Sequence, residues 1–190
     1  MRSVATALLL LTALVPMLQG CVPVVAGAAV GAGVLLAEDR RSSGTYVDDQ
    51  SIELKTTARI SEKLPAAHVN VTSFNRVTLL TGEAPTEAAK AEIGAMAQAV
   101  AGVRAVQNEL AVKPNSSAGA RANDAAITAN VKTRFVQAGK FQANHVKVVT
   151  EANVVYLMGL VKRSEAADAA SVASRSKGVS KVVQVFEFID

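Results

Sequence analysis

The stretch VKVVTEANVVYLMGLVKRSEAADAASVASRSKGVSKVVQVFEFI (146–189) decides the fold, because it has a twin upstream, VNVTSFNRVTLLTGEAPTEAAKAEIGAMAQAVAGVRAVQNELAV (69–112). Gly82 matches Gly159, 77 positions on, and the same step joins Val71 to Val148, Val77 to Val154 and His68 to His145. Ile52 and Ile127 lie 75 apart, and Gly102-Val103 and Gly178-Val179 lie 76 apart. Offsets that drift so little mark short loop insertions between equivalent elements of a repeat.

Each copy alternates in period. In the second, Ile127, Val131, Phe135 and Ala138 recur at spacings of four and three, one face of a helix for which Asn123 or Asp124 is the expected cap. HVKVVT and NVVYLMG flank a polar turn at Glu151 to Asn153 and predict a hairpin. Ser164 then opens an Ala-rich helix that Gly178 stops, and VSKVVQVFEFI alternates as a strand. In the first copy Ile52, Ile60 and Leu64, strands from Val69 and Arg76, Thr86 as cap, Gly102 as stop and VRAVQNELAV repeat the order helix, strand, strand, helix, strand. The expected class is α+β: two tandem modules, each a three-stranded sheet packed on two helices. At about 65 residues each module is near the lower end of what folds alone, so the pair is expected to pack together. KPNSSAG, from Lys113 to Gly119, has the composition of a linker.

The N-terminus has a different character. Arg2, an apolar run from Val4 to Leu18 and then small residues form the layout of a secretory signal peptide. The run is broken by Pro16 and falls short of the roughly 20 apolar residues that span a bilayer. Leu18-Gln19-Gly20-Cys21 resembles the bacterial lipobox, which implies diacylglycerol on the sulfur of Cys21 and an N-acyl chain after cleavage, with no other cofactor expected. Cys21 is the only cysteine, so no disulfide is available to the modules. The expected organisation is a signal peptide at 1–20, a lipidated tether at 21–47, a first module at 48–112, a linker at 113–120 and a second module at 121–190.

Two modules, each with a hairpin ending in Gly and a closing G-V-x-x-V (Gly102 to Val106, Gly178 to Val182), resemble BON domains. The pair behind a lipobox resembles the dual-BON outer-membrane lipoproteins. The resemblance implies a lipid-anchored protein on the periplasmic face of the outer membrane, where it supports membrane integrity at the division site. Val22 after Cys21, where the enteric inner-membrane retention signal has Asp, agrees with that location.

No G-x-S-x-G, phosphate loop or HExxH is present, so a binding protein is expected rather than an enzyme. His68 and His145 share a repeat position with no Cys or acidic cluster beside them in sequence, which predicts a structural role and no metal. Asp48-Asp49, placed before a helix, reads as a cap and dipole partner. Residues 48–112 carry six basic and eight acidic side chains, whereas 121–190 carry ten and six, so the second module suits an anionic surface. An exported chain meets no genome, which excludes nucleic acid as a partner.

If Ile127, Val131 and Phe135 face the sheet, then Ala126, Ala129, Lys132, Thr133, Val136 and Lys140 lie on the outer side of that helix. A Val between two Lys fits an interfacial contact and equally an ordinary solvated helix. The resemblance implies the former, because BON domains are regarded as phospholipid-binding through this helix. Related chains carry Trp where this one has Ala126, and this sequence has no Trp, so reliance on Lys132, Lys140 and Arg121 is expected to be greater. The other expected partner class is a periplasmic envelope-assembly or cell-wall protein, docked on the acidic first module or a sheet edge.

Overall fold

A computed structural model describes residues 39–190; the expected signal peptide, Cys21 and most of the tether lie outside the described residues. Helix α1 (Ser43–Lys63) leads into the antiparallel hairpin β1 (His68–Phe74) and β2 (Val77–Ala84). Helix α2 (Glu87–Gln98) then crosses over to β3 (Ala105–Asn108) and β4 (Ala111–Val112), both parallel to β2. The second module repeats this with α3 (Ala118–Ala138), the hairpin β5 (Lys147–Glu151) and β6 (Val154–Val161), α4 (Arg163–Ser174) and β7 (Lys181–Phe188) parallel to β6. The α+β architecture is therefore the one expected. One difference is the closing strand of the first module, which splits at Glu109–Leu110 because Leu110 turns inward to the core.

Three helix starts differ from expectation. Ser42 caps α1 by accepting from the Thr45 N–H, so the helix begins inside the segment read as tether. Ser117 caps α3 through the Ala120 N–H, so α3 begins inside the expected linker and not at Asn123 or Asp124. Helix α4 begins at Arg163, where Glu165 accepts from the Lys162 N–H, and Ser164 is not its cap. Thr86 does cap α2, accepting from the Ala89 N–H.

Asp49 is not a cap either. It and Asp124, 75 positions apart, are buried on α1 and α3 one turn before Ile52 and Ile127. Asp124 accepts the Ala152 and Asn153 N–H groups, each at 2.9 Å. Asp49 accepts the N–H groups of Asn75 (2.8 Å) and Arg76 (2.7 Å) and the Ser73 hydroxyl (2.7 Å). All four turn residues have positive φ, between 50° and 64°, the signature of a type I′ hairpin turn made without glycine. The buried carboxylate holds this strained turn from the helix side. We expect Asp124→Ala to lower stability by about 2–4 kcal/mol, because two buried N–H groups lose their acceptor; chemical denaturation followed by circular dichroism measures it.

The hairpin glycine of the repeat has a steric cause. A Cβ on Gly82 (φ 113°) would stand 2.1 Å from the His68 carbonyl oxygen, and one on Gly159 would stand 2.4 Å from that of His145.

The helices cover one face of each sheet, and the other faces pack on each other. Phe74 and Leu79 of the first module meet Tyr156 and Met158 of the second in one buried cluster, flanked by Val77, Val149 and Val183. Polar ties rim this seam: Asn70 to Glu151, Asn75 to Glu187, and Lys147 to both Glu53 and the Ser73 carbonyl. The expected mutual packing thus takes the form of a face-to-face sheet sandwich.

Candidate functional site

Helix α3 owes its two-sided character to Ile127, Val131 and Phe135, which are buried against the second module's sheet. That leaves Arg121, Ala126, Ala129, Lys132, Thr133, Val136 and Lys140 all exposed, as the periodicity predicts. Val136 is 69% exposed, a large apolar side chain left facing solvent. Past the left-handed Gly139 cap, Phe141 folds back edge-on against Phe135, ring centroids 5.0 Å apart, and sets the 139–143 loop beside Val136.

The structure divides the seven residues. Lys132 and Val136 line a hollow of about 390 Å³ shared with Arg41, Tyr46, Phe74 and Lys147. Val136 and Lys140 line a second, of about 430 Å³, with Phe141 and Glu165. Arg121 lies about 28 Å from Lys140 along the helix and does not join them. It donates to the Ser116 carbonyl and lines a separate groove of about 620 Å³ between the edge strands β1 and β5. Ala126, Ala129 and Thr133 lie on the exposed face, the Thr133 hydroxyl donating to the Ala129 carbonyl. Lys140 is paired with Asp168 at 2.7 Å, so its charge is partly neutralised on the protein itself.

Sequence reasoning missed Arg41 and Lys147. Arg41 donates to Asp49 at 2.8 Å and stacks over the Phe74 and Tyr46 rings, 4.1 and 5.0 Å from their centroids. Burial disfavours its charge, but the Asp39 and Asp49 carboxylates outweigh that and hold the guanidinium above its ordinary range. Lys147 opens β5 beside it. Neither shows any periodicity with α3, because both arrive through tertiary packing.

Arg40 fastens the entry of the chain to the same end of the second module. Its guanidinium donates to both Glu165 oxygens, at 2.6 and 2.8 Å, and to the Leu160 carbonyl. The pairing holds the Glu165 carboxyl down at about 2, against an ordinary 4.5. A depressed carboxyl adds stability that is fully present above pH 4.5 and is lost as pH falls through 2. Glu165→Gln is therefore expected to melt earlier than the parent chain at about pH 6 and together with it near pH 2, as read by thermal denaturation across that range.

His68 has acidic neighbours that its sequence surroundings do not show. The fold brings two glutamates to His68 that are remote in sequence: Glu83 Oε2 lies 2.8 Å from His68 Nδ1, and Glu151 joins them from the second module. Among the described residues no helix is long and apolar enough to cross a membrane.

A model of the BON domain matches residues 48–114 and 123–190. The chain belongs to the BON-domain family. Outer membrane lipoprotein DolP of Haemophilus influenzae is 38% identical over 91% of each chain. A 21 kDa hemolysin of Actinobacillus pleuropneumoniae is 32% identical over 80% of this chain and 79% of its own. Osmotically-inducible protein Y of Escherichia coli is 28% identical over 80% and 78%. Like the first of these, this BON-domain protein is an outer-membrane lipoprotein, lipid-anchored and facing the periplasm.

Proposed function

We propose that this BON-domain lipoprotein is a non-enzymatic membrane-binding protein, anchored by acyl chains on Cys21, that recognises anionic phospholipid through helix α3 and supports outer-membrane integrity at the division site. One observation carries the reading. The exposed Val136 stands beside Lys132, which makes no ion pair among the described residues, while Arg41 and Lys147, paired with Asp39, Asp49 and Glu53, wall the hollow behind them, and Arg40 ties residue 40 to the same end of the second module. A weak contact held next to an anchor acts at high effective concentration, so micromolar or poorer intrinsic affinity suffices. Basic side chains near anionic lipid contribute about 1 kcal/mol each, which makes the contact salt-sensitive. Without a tryptophan, α3 relies on charge and one aliphatic side chain.

The test is co-sedimentation of residues 39–190, which form one compact unit and keep the Arg40 and Arg41 contacts, with vesicles of phosphatidylcholine alone or mixed with phosphatidylglycerol or cardiolipin. Binding to the anionic vesicles only, lost at high salt, is expected. Binding to none of them would leave the acyl chains as the sole membrane contact. The groove between β1 and β5 favours a protein partner as a second reading, since both are edge strands. That role would survive charge reversal on α3.

A further inference from the structure

The repeat does not account for the groups gathered at the seam between the modules. His68 opens β1, Glu83 stands near the end of β2, and Glu151 ends β5. At the hairpin offset of 77 the counterparts of Glu83 and Glu151 are Leu160 and Phe74, so the constellation is made once. Each of the three residues offers a ligand atom, and these atoms lie within 4.8 Å of one another. Glu83 is fully buried, and its Oε1 accepts no hydrogen bond, with Lys113 Nζ at 3.7 Å. The surroundings hold the carboxylates from outside. The Ser116 N–H donates to Glu83 Oε2 at 3.1 Å, and the Asn70 amide donates to Glu151 Oε2 at 2.9 Å. An undonated buried carboxylate oxygen beside a second carboxylate is costly unless a cation lies between them.

We propose that His68, Glu83 and Glu151 form a divalent transition-metal site, suited to zinc, that bridges the two modules. One imidazole nitrogen and two carboxylate oxygens are a borderline-soft donor set that zinc accepts and that magnesium or calcium, which prefer all-oxygen cages, do not. Three protein ligands leave a fourth position for water. Donors of a tetrahedral zinc stand about 3.3 Å apart, so a pair as wide as the 4.8 Å limit closes by about 1.5 Å, and the hydrogen-bonded His68–Glu83 pair at 2.8 Å opens by about 0.5 Å. Glu151, at a strand end lining the groove of about 620 Å³, has room to do so, and the groove is the path by which the ion enters. Asn70 and Ser116 then orient the ligands from behind.

The untagged, acylated mature protein in detergent micelles, stripped of metal by a chelator, is titrated with Zn²⁺ by calorimetry and melted with and without it. A single saturable equivalent and a rise in Tm are expected. Glu151→Gln and His68→Gln should each weaken binding about a hundredfold and abolish the rise while keeping the circular dichroism of the parent. His145→Gln, at the other histidine of the chain, should change neither. Glu83 is wholly buried and Glu151 is 7% exposed, so the test uses the near-isosteric Gln at Glu151 and the half-buried His68, with the metal-free Tm of each variant separating loss of a ligand from loss of fold. Absence of a saturable equivalent, binding unchanged by both Glu151→Gln and His68→Gln, or displacement of Zn²⁺ by equal Mg²⁺ would each overturn the site.

Discussion

The double variant Lys132→Glu/Val136→Asp, in the 39–190 unit, is expected to lose affinity for phosphatidylglycerol vesicles at least a hundredfold with its fold intact. Replacing Lys132 by Glu turns an attraction of about 1 kcal/mol near an anionic surface into a comparable repulsion. Burying a valine side chain in the interface is worth about 1.5 kcal/mol or more, and an aspartate there adds a desolvation cost. Together these exceed about 3 kcal/mol, where about 1.4 kcal/mol is tenfold. Both residues are exposed and contribute nothing to the core, so circular dichroism and Tm should be those of the parent. Lys140→Glu should matter much less, because Asp168 already satisfies that ammonium at 2.7 Å. Equal losses from Lys132→Glu and Lys140→Glu would mean that bulk charge, and not the Val136 hollow, governs binding.

The second large effect is on stability. Asp49→Ala should cost about 3–5 kcal/mol, more than Asp124→Ala, and lower Tm by roughly 10 °C or more. Both aspartates hold a strained hairpin turn, but Asp49 also takes the Ser73 hydroxyl and the Arg41 guanidinium. Its removal strands two backbone N–H groups and leaves Arg41, 8% exposed at the side chain, without its inner carboxylate. Asp49→Asn keeps the shape and loses the charge, so about half the loss is expected. Thermal melts of the three variants settle the order; a smaller effect at Asp49 than at Asp124 would contradict it. Since Arg41 also walls the Val136 hollow, this buried pair couples the stability of the first module to the hollow on helix α3 of the second.

The elements that sequence reveals well are those whose residues speak for themselves. The repeat, the two hairpins and the inward stripe Ile127, Val131, Phe135 are local patterns with fixed periods. Helix starts are harder to place because the first turns of α1 and α3, SGTY and AGAR, carry no apolar stripe; the acidic residues further on look like caps, whereas tertiary contacts claim them. The buried Asp bonded across to a turn does leave a trace, since Asp49 and Asp124 fall on the inward stripe at the same repeat offset as Ile52 and Ile127, but an acidic residue near a helix start reads first as a cap. The exposed face of α3 is legible for the same reason as its buried face. Arg41 and Lys147, and the meeting of His68 with Glu83 and Glu151, follow from how two sheets stack, and no sequence spacing encodes that.

A paired comparison decides whether α3, rather than any other exposed helix, meets the lipid. Leu54 on α1 occupies the repeat position of Ala129, and it is 71% exposed, close to the 69% of Val136. Residues 39–190 contain no cysteine, so Leu54→Cys and Val136→Cys each accept one environment-sensitive fluorophore. On adding phosphatidylglycerol vesicles the probe at 136 is expected to shift to the blue, reversibly with salt, and the probe at 54 to stay unchanged. A shift at 54, or an unchanged spectrum at 136 under conditions where the protein sediments with the vesicles, would contradict it.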